Sequence, residues 1–555
     1  MRNILKPEIW VGAVVSFAFP FGISRLFRKL QAEGGDRFRP SRRVGRRKSI
    51  DKAREPARKA AVPVAERLEI NIRAMREAIG HSPDVMFRDF AIRRTDSRAV
   101  IVYIDGLIDS NALVEQVMKP LMREVDRTSE VPLDPEAWKD ELTNSVLPAA
   151  DVKAVACLEA CVHEVLSGNI ALFAEGMAEA VIVGASGGES RSVEEPLSEA
   201  VVRGPKDGFV ESLRSNTTLL RRRIKDPGFT TVGFTLGRRS RTKLSLFYIK
   251  GLTNPDLVEE VESRLRRIDI DDILESGYVE QLIEDRYLSP FPQVQNTERP
   301  DRVAGALMEG RVALLMEGTP MALLVPVTFP MLMTSPEDYY ERWLPASLIR
   351  ILRYGAAFLA LFLPAIYIAL ISYNHGLIPT KLVISIAAGR EGVPFPSIVE
   401  ALIMEVTLEI LREAGLRLPK PIGQAVGIVG GLVIGQAAVQ AAIVSPIMVI
   451  VVALTAISSF AFPQYGAGIA IRMLRFAMML AAAVFGLFGI IMFFILILVH
   501  LVRLKSFGTD YLSPFAPMRP GDWRDLVVRL PLQVLTGRPE SNETEDRIRQ
   551  PPEGG

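Results

Sequence analysis

VYIDGLIDSNALVEQV, Val102 to Val117, returns in altered form as FYIKGLTNPDLVEEV, Phe247 to Val261, with a one-residue gap. Farther along, GNIALFAEGMAEAVIV (Gly168 to Val183) is matched by GRVALLMEGTPMALLV (Gly310 to Val325). The order and separation of the two pieces are nearly the same in both copies. Chance could produce one such match, but two in register argue for duplication, which has to be found before elements are assigned. In each copy a β-branched run, Ala99 to Ile104 or Leu244 to Ile249, ends at Gly106 or Gly251, and an amphipathic helix begins. The later piece is a hairpin, in which apolar runs flank AEG or MEG and the glycine permits the positive φ of a tight turn. Two related α/β subdomains follow, with repeat cores at about Ser82 to Gly184 and Thr230 to Pro326.

Composition shifts organise the rest of the 555 residues. The net charge of +2 says nothing about a partner, but its distribution does. Residues 1–60 hold an apolar segment and a basic arm, in which Lys and Arg outnumber Asp and Glu by fourteen to four between Ser24 and Lys59. The first subdomain is expected over 61–190, a charged connector over 191–229 and the second subdomain over 230–343. A transmembrane domain of about four to six helical segments is expected over 344–505, and a cytosolic tail with a disordered end over 506–555. The fold class is thus an α/β cytosolic region of two related subdomains followed by an α-helical multi-pass membrane domain.

The first apolar stretch, IWVGAVVSFAFPFGI (Ile9 to Ile23), is shorter than the ~20 residues of a span and lacks a small-residue cleavage site. It reads as an interfacial anchor, a marginal span or the product of an upstream start codon. The arm is expected on the cytoplasmic side, where Lys and Arg are retained and anionic membrane lipid attracts them. Nucleic acid is not an expected partner, since only Phe27 and Phe38 in the arm could stack on bases.

No catalytic constellation, cofactor site or metal site is expected. The connector's GASGG, Gly184 to Gly188, lacks the spacing of a dinucleotide fingerprint. Cys157 and Cys161, near His163, fall short of the about four ligands zinc needs and read as reduced thiols on a cytosolic helix. The triplet Arg221-Arg222-Arg223 reads as a solvated or membrane-facing helix surface.

Within the membrane region, spans are expected at Leu348 to Ser372, Ile422 to Val444, Pro446 to Phe462 and Met473 to Val502. Arg350 and Arg353 mark a cytoplasmic end of the first. Gly423, Gly427 and Gly431 form a flat stripe suited to close helix packing. Arg472 and Arg475 before the last span, and Arg503 and Lys505 after it, all read as cytoplasmic flanks, which one straight helix does not allow.

Between these spans lies EGVPFPSIVEALIMEVTLEILREAG, Glu391 to Gly415. At 100° per residue, Glu405, Glu409 and Glu413 share a face with Arg412 close by. Glu400 and Thr407 lie nearly opposite with Ser397 beside them, and Val399, Ile403, Val406 and Ile410 form an apolar flank. Lipid does not accommodate such charges, so they face water or protein. Two readings stay open. The helix lies at the interface with hydrated carboxylates, or copies of it surround a pore lined by Ser397, Glu400, Glu405 and Thr407, with Glu400 or Glu405 forming a carboxylate ring that favours cations.

SPFPQVQNTERPDRVAGALMEGRVALLMEGTPMALLVPVTF (Ser289 to Phe329), SPEDYYERW (Ser335 to Trp343), ISIAAGREGVPFP (Ile384 to Pro396) and LKSFGTDYLSPFAP (Leu504 to Pro517) resemble the GerA family of spore germination proteins. The resemblance runs from about Ser82 to about Pro539, while the amino-terminal apolar piece departs from the family pattern. It implies a non-enzymatic A subunit of a nutrient germinant receptor in the inner membrane of an endospore. It further implies a transporter-like B subunit and a C-subunit lipoprotein as partners, and a homo-oligomer acting as a ligand-gated monovalent cation channel. The alternatives are a secondary transporter, and a paralogous channel or scaffold in later release of spore solutes.

Overall fold

The computed structural model describes residues 62–92, 97–122, 151–185, 187, 195–196, 199–419, 430–431 and 433–550. The expectations for the apolar segment, the basic arm, Gly423 and Gly427 lie outside the described residues. Contacts divide the chain into two units. One takes Arg58–Ala357, Phe460–Ala470 and Leu498–Gly555; the other includes Phe358–Ser459 and Ile471–Ile497.

The first unit contains the duplication. Copy one runs α1 (Leu68–Ile79), β1 (Val85–Ile92), β2 (Ser97–Ile104), a helical stretch from Ser110 to Met122, β3 (Val152–Val155), α2 (Leu158–Leu166), β4 (Ile170–Ala174) and β5 (Ala180–Val183). Its antiparallel sheet has the order β1-β2-β4-β5-β3. Copy two runs α3 (Leu213–Arg223), β6 (Phe229–Leu236), β7 (Thr242–Ile249), α4 (Pro255–Arg266), α5 (Ser276–Ile283), β8 (Gln295–Thr297), α6 (Pro300–Met308), β9 (Val312–Met316) and β10 (Ala322–Val325). Its order, β6-β7-β9-β10-β8, is the same.

Helices cover both faces of each sheet. Val100, Val102 and Phe173 enter a core with α1 and α2, whereas Ala99, Ile101 and Leu172 enter another with Leu113 and Val117. Side chains alternate across a strand, so burial on both faces produces the continuous apolar runs seen in β4 and β9. The turns at Gly176 and Gly318 have φ of +85° and +89°, as the AEG and MEG motifs predict.

The duplication extends beyond the quoted matches. Residues read as connector, 191–229, hold α3, which is the counterpart of α1. Leu68 N donates to Glu175 Oε2 at 3.0 Å and Leu213 N to Glu317 Oε2 at 2.9 Å. Asn71 brackets Ala65, through one bond to its N–H and one to its carbonyl, as Asn216 brackets Val210. Arg221 corrects the solvated reading of its triplet: only 2% exposed, it makes a bidentate pair with Asp84 at 2.8 and 2.9 Å. Charge on a helix signals solvent only where no second subdomain packs on that face.

The residues read as a tail with a disordered end pack on copy two as far as described. Ser506 Oγ donates to the Gln293 carbonyl at 2.7 Å, Tyr511 OH to the Pro292 carbonyl at 2.8 Å and Asn542 Nδ2 to the Glu309 carbonyl at 2.9 Å.

The helices described in the region expected to span a membrane include α7 (Trp343–Ser372), α8 (Thr380–Arg390), α9 (Ser397–Arg417), α10 (Pro446–Ser459) and α11 (Tyr465–Arg503). Among the described residues, α7 and α11 are long and apolar enough to cross a membrane, and α10 is a shorter apolar helix. α11 is not one straight span. Gly486, at φ +61° and ψ −140°, leaves helical conformation and turns the chain so sharply that a Cβ on Gly489 would lie 2.1 Å from the Ala481 carbonyl oxygen. The conflict between its two sets of flanking cations assumed a straight helix, which the turn removes.

Candidate functional site

Within the second unit, α9 carries the carboxylates Glu400, Glu405, Glu409 and Glu413. Pro396, with extended backbone, precedes the helix and Ser397 opens it. One turn on, Glu400 is fully buried. Its Oε2 accepts the backbone N–H of Ser445 at 2.8 Å, and its Oε1 lies 2.8 Å from Arg390 Nη2 at the end of α8. Ser445 immediately precedes α10, and its hydroxyl accepts from Met448 N at 3.3 Å. The carboxylate therefore sits at the positive end of α10's dipole and satisfies one of its orphan donors.

Glu405 is 1% exposed and pairs through Oε2 with Arg475 Nη2 of α11 at 2.8 Å; Arg475 is equally buried. Glu409, one turn farther, takes Arg475 and Arg412, both at 3.2 Å, with Arg472 at 3.8 Å. Arg412 also donates to Ser459 Oγ at 2.9 Å. Glu413 closes the series in an exposed pair with Arg417 at 2.6 Å. The carboxylates thus form a ladder from buried to solvated. Removing one partner of such a buried pair leaves an uncompensated charge and costs about 3–5 kcal/mol.

Buried bonding capacity remains in this ladder. Among the described residues, Glu405 Oε1, Arg475 Nε and Arg475 Nη1 have no hydrogen-bond partner. Ser397 Oγ is 3.0 Å from Ser372 Oγ, and Thr407 donates to the Ile403 carbonyl at 2.7 Å. Within one chain Ser397, Glu400 and Glu405 are buried, and Thr407 is half-buried. Among the described residues no atom lies within 4 Å of the Gly431 Cβ position, whereas Gly430 and Gly435 approach Leu411 and Val449. The face left open on α9 is apolar: Ile403, Val406 and Ile410 are exposed.

Sequence periodicity separated the faces of α9 but missed Arg390 and Arg475 as partners. Arg390 lies across the Gly392-Val393-Pro394 break, where helical spacing carries no information. Arg475 read as a flank, because a cation near a span's end satisfies that pattern without any partner. Among the described residues no group of three or more His, Cys, Asp or Glu is placed to hold a metal ion.

A family model described as Bacillus/Clostridium GerA spore germination protein matches residues 73–541. Spore germination protein B1 of Bacillus subtilis (strain 168) is 44% identical over 484 residues, 87% of this chain and 99% of the relative. The uncharacterized membrane protein YfkQ of the same organism is 44% identical over 478 residues, 86% of this chain and 91% of the relative. The crystal structure of the N-terminal domain of the A subunit of the Bacillus megaterium spore germinant receptor GerK3 matches at 34% identity with a TM-score of 0.39. That match covers 49% of this chain and 99% of the other.

Proposed function

We propose that this chain, which belongs to the Bacillus/Clostridium GerA spore germination protein family, is the A subunit of a nutrient germinant receptor. It sits in the inner membrane of the endospore with a transporter-like B subunit and a C-subunit lipoprotein. It oligomerises around a path for monovalent cations that opens when the complex binds nutrient.

The observation that carries this reading is the pair of buried carboxylates on α9, each held by an arginine from another helix. Ionisable groups in an apolar helical unit are costly and mark ion paths or relays more often than packing. In the resting chain Arg390 and Arg475 neutralise Glu400 and Glu405. Release of those pairs would present Ser397, Glu400, Glu405 and Thr407 to water, a lining that favours cations. The exposed Ile403, Val406 and Ile410 supply an apolar face for neighbouring copies or lipid.

The test is cation flux through vesicles reconstituted with the receptor. Glu400→Gln and Glu405→Gln are expected to lower conductance or cation selectivity about ten-fold, a loss of roughly 1.4 kcal/mol at the barrier. Unchanged flux and selectivity in both variants would sink the carboxylate lining.

A further inference from the structure

The contact between the two copies of the repeat has a second, unoccupied version on the same chain. Within the chain, α3 and edge strand β6 of copy two dock on the loop end of copy one. Arg221 grips Asp84, Arg214 Nη2 donates to Asp105 at 2.6 Å, and Ser82 Oγ bridges the free edge of β6, donating to the Phe229 carbonyl and accepting from Thr231 N. Gly106 is pressed against this junction; a Cβ there would lie 2.4 Å from Thr218 Oγ1.

The repeat fixes the counterpart of every group. Asp105 N donates to the Asp84 carbonyl and Lys250 N to the Gly228 carbonyl, both at 2.8 Å, so the loop ends superpose. Asp105 then corresponds to Lys250, Gly106 to Gly251 and Ser82 to Asp226; on the helices Arg214 corresponds to Glu69 and Arg221 to Arg76. These counterpart surfaces are open. Glu69, Arg76 and Lys250 are exposed, and no atom of the described residues lies within 4 Å of a Cβ on Gly251. β1, like β6, is an edge strand with its outer rim unpaired in the sheet.

The charges at the two versions are exchanged in a compensating way. Where Arg214 meets Asp105 inside the chain, the open version offers Glu69 to Lys250. Arg76, whose counterpart takes Asp84, would find Asp226 two residues from the glycine that replaces that aspartate. Among the described residues, Glu69 makes a long contact of 3.9 Å with Arg98.

We infer that a second copy of this chain docks the α1–β1 face of its first subdomain on the Lys250–Gly251 end of the second subdomain, repeating the internal junction between chains. The contact is head-to-tail, the kind that closes into rings. It deepens the reading of the chain as an oligomer-forming subunit and rests on it.

The experiment uses full-length chains in membranes, in a Cys157→Ser background. One tagged copy carries Glu69→Cys and a differently tagged copy carries Lys250→Cys. A short bis-maleimide is expected to join the two tags into a product of twice the chain mass. In the unmodified cysteine background, a general lysine cross-linker reports oligomers of any geometry. With that reporter, Glu69→Lys or Lys250→Glu alone is expected to lower the cross-linked oligomer about three-fold, and the two together to restore it, as for an exposed ion pair. A lysine-cross-linked ladder without the site-specific product overturns this interface and leaves the oligomer standing. Absence of both overturns the interface and the oligomer together.

Discussion

Glu280 lies on α5 in the neighbourhood of two other carboxylates, Glu284 and Glu275. Burial first, then the charges of Glu284 and Glu275, push its carboxyl up to about 7, while Glu284 is raised by burial as well. The folded form therefore holds a proton that the unfolded chain releases at the ordinary carboxyl value near 4.5. That contribution to stability is complete below about 4.5 and is lost as pH rises through about 7. Glu280→Gln should flatten the dependence, gaining roughly 1–2 kcal/mol over the parent at pH 8 and little at pH 4.5. Thermal unfolding of the purified chain across that window checks it; parallel curves would reject the raised carboxyl. The sequence carries no trace of this residue's environment, because a glutamate on a mixed-charge helix defaults to solvent. The same default hid Arg221. Glu400 and Glu405 were legible because their surroundings are apolar, so charge there already demanded an account.

At the scale of elements, legibility followed burial. β4, β5, β9 and β10 are sealed on both faces, which restricts every position and kept the repeat visible. α1 and α3 share an inward Leu (Leu68, Leu213), an inward Asn (Asn71, Asn216) and one outer Arg (Arg76, Arg221) and otherwise diverge, since the outer face of α3 serves the junction while that of α1 is exposed. In α11 the limit was different. A run of apolar residues looks alike whether straight or folded back, and Gly486 is one of several glycines and alanines interspersed in it, with Ala481, Ala482, Ala483 and Gly489 nearby. Its left-handed φ favours glycine, and a Cβ would lie 3.1 Å from Tyr373 Cβ. Gly486→Ala should therefore cost roughly 1–3 kcal/mol in the thermal stability of the detergent-purified chain. Tyr373 closes the turn by donating to the carbonyls of Ala483 and Val484 at 2.7 and 3.1 Å, groups that a continuous helix would satisfy itself. Tyr373→Phe leaves them without that donor and should cost about 1–3 kcal/mol. If both variants melt like the parent, the turn at Gly486 is not held as described.

On the scale of the molecule, the beginning of α7 is bound to residues near the end of the chain by buried charge. Arg350 and Arg353 read as markers of a cytoplasmic end, but both converge on Asp338 Oδ2, at 2.9 and 2.6 Å. Arg350 also reaches Asp525 Oδ1 at 2.7 Å, Tyr339 OH donates to the second oxygen of Asp525, and Arg529 donates to the Asp338 carbonyl at 2.7 Å. Asp338 and Arg350 are 2% and 1% exposed, so solvent cannot replace a lost partner. Asp338→Ala takes the shared carboxylate from both guanidinium groups, leaving Arg350 with Asp525 and Arg353 without its ion-pair partner, and should cost about 3–5 kcal/mol, whereas Arg417→Ala, breaking an exposed pair, should cost at most about 0.5 kcal/mol. The loss should be local before it is global. Backbone amides of Leu526 and Leu530, bonded within this segment, would exchange hydrogen faster while those of β9 and β10 keep their protection. Equal acceleration across all four would mean that the cluster stabilises the second subdomain as a whole rather than fastening the tail to the first turns of α7.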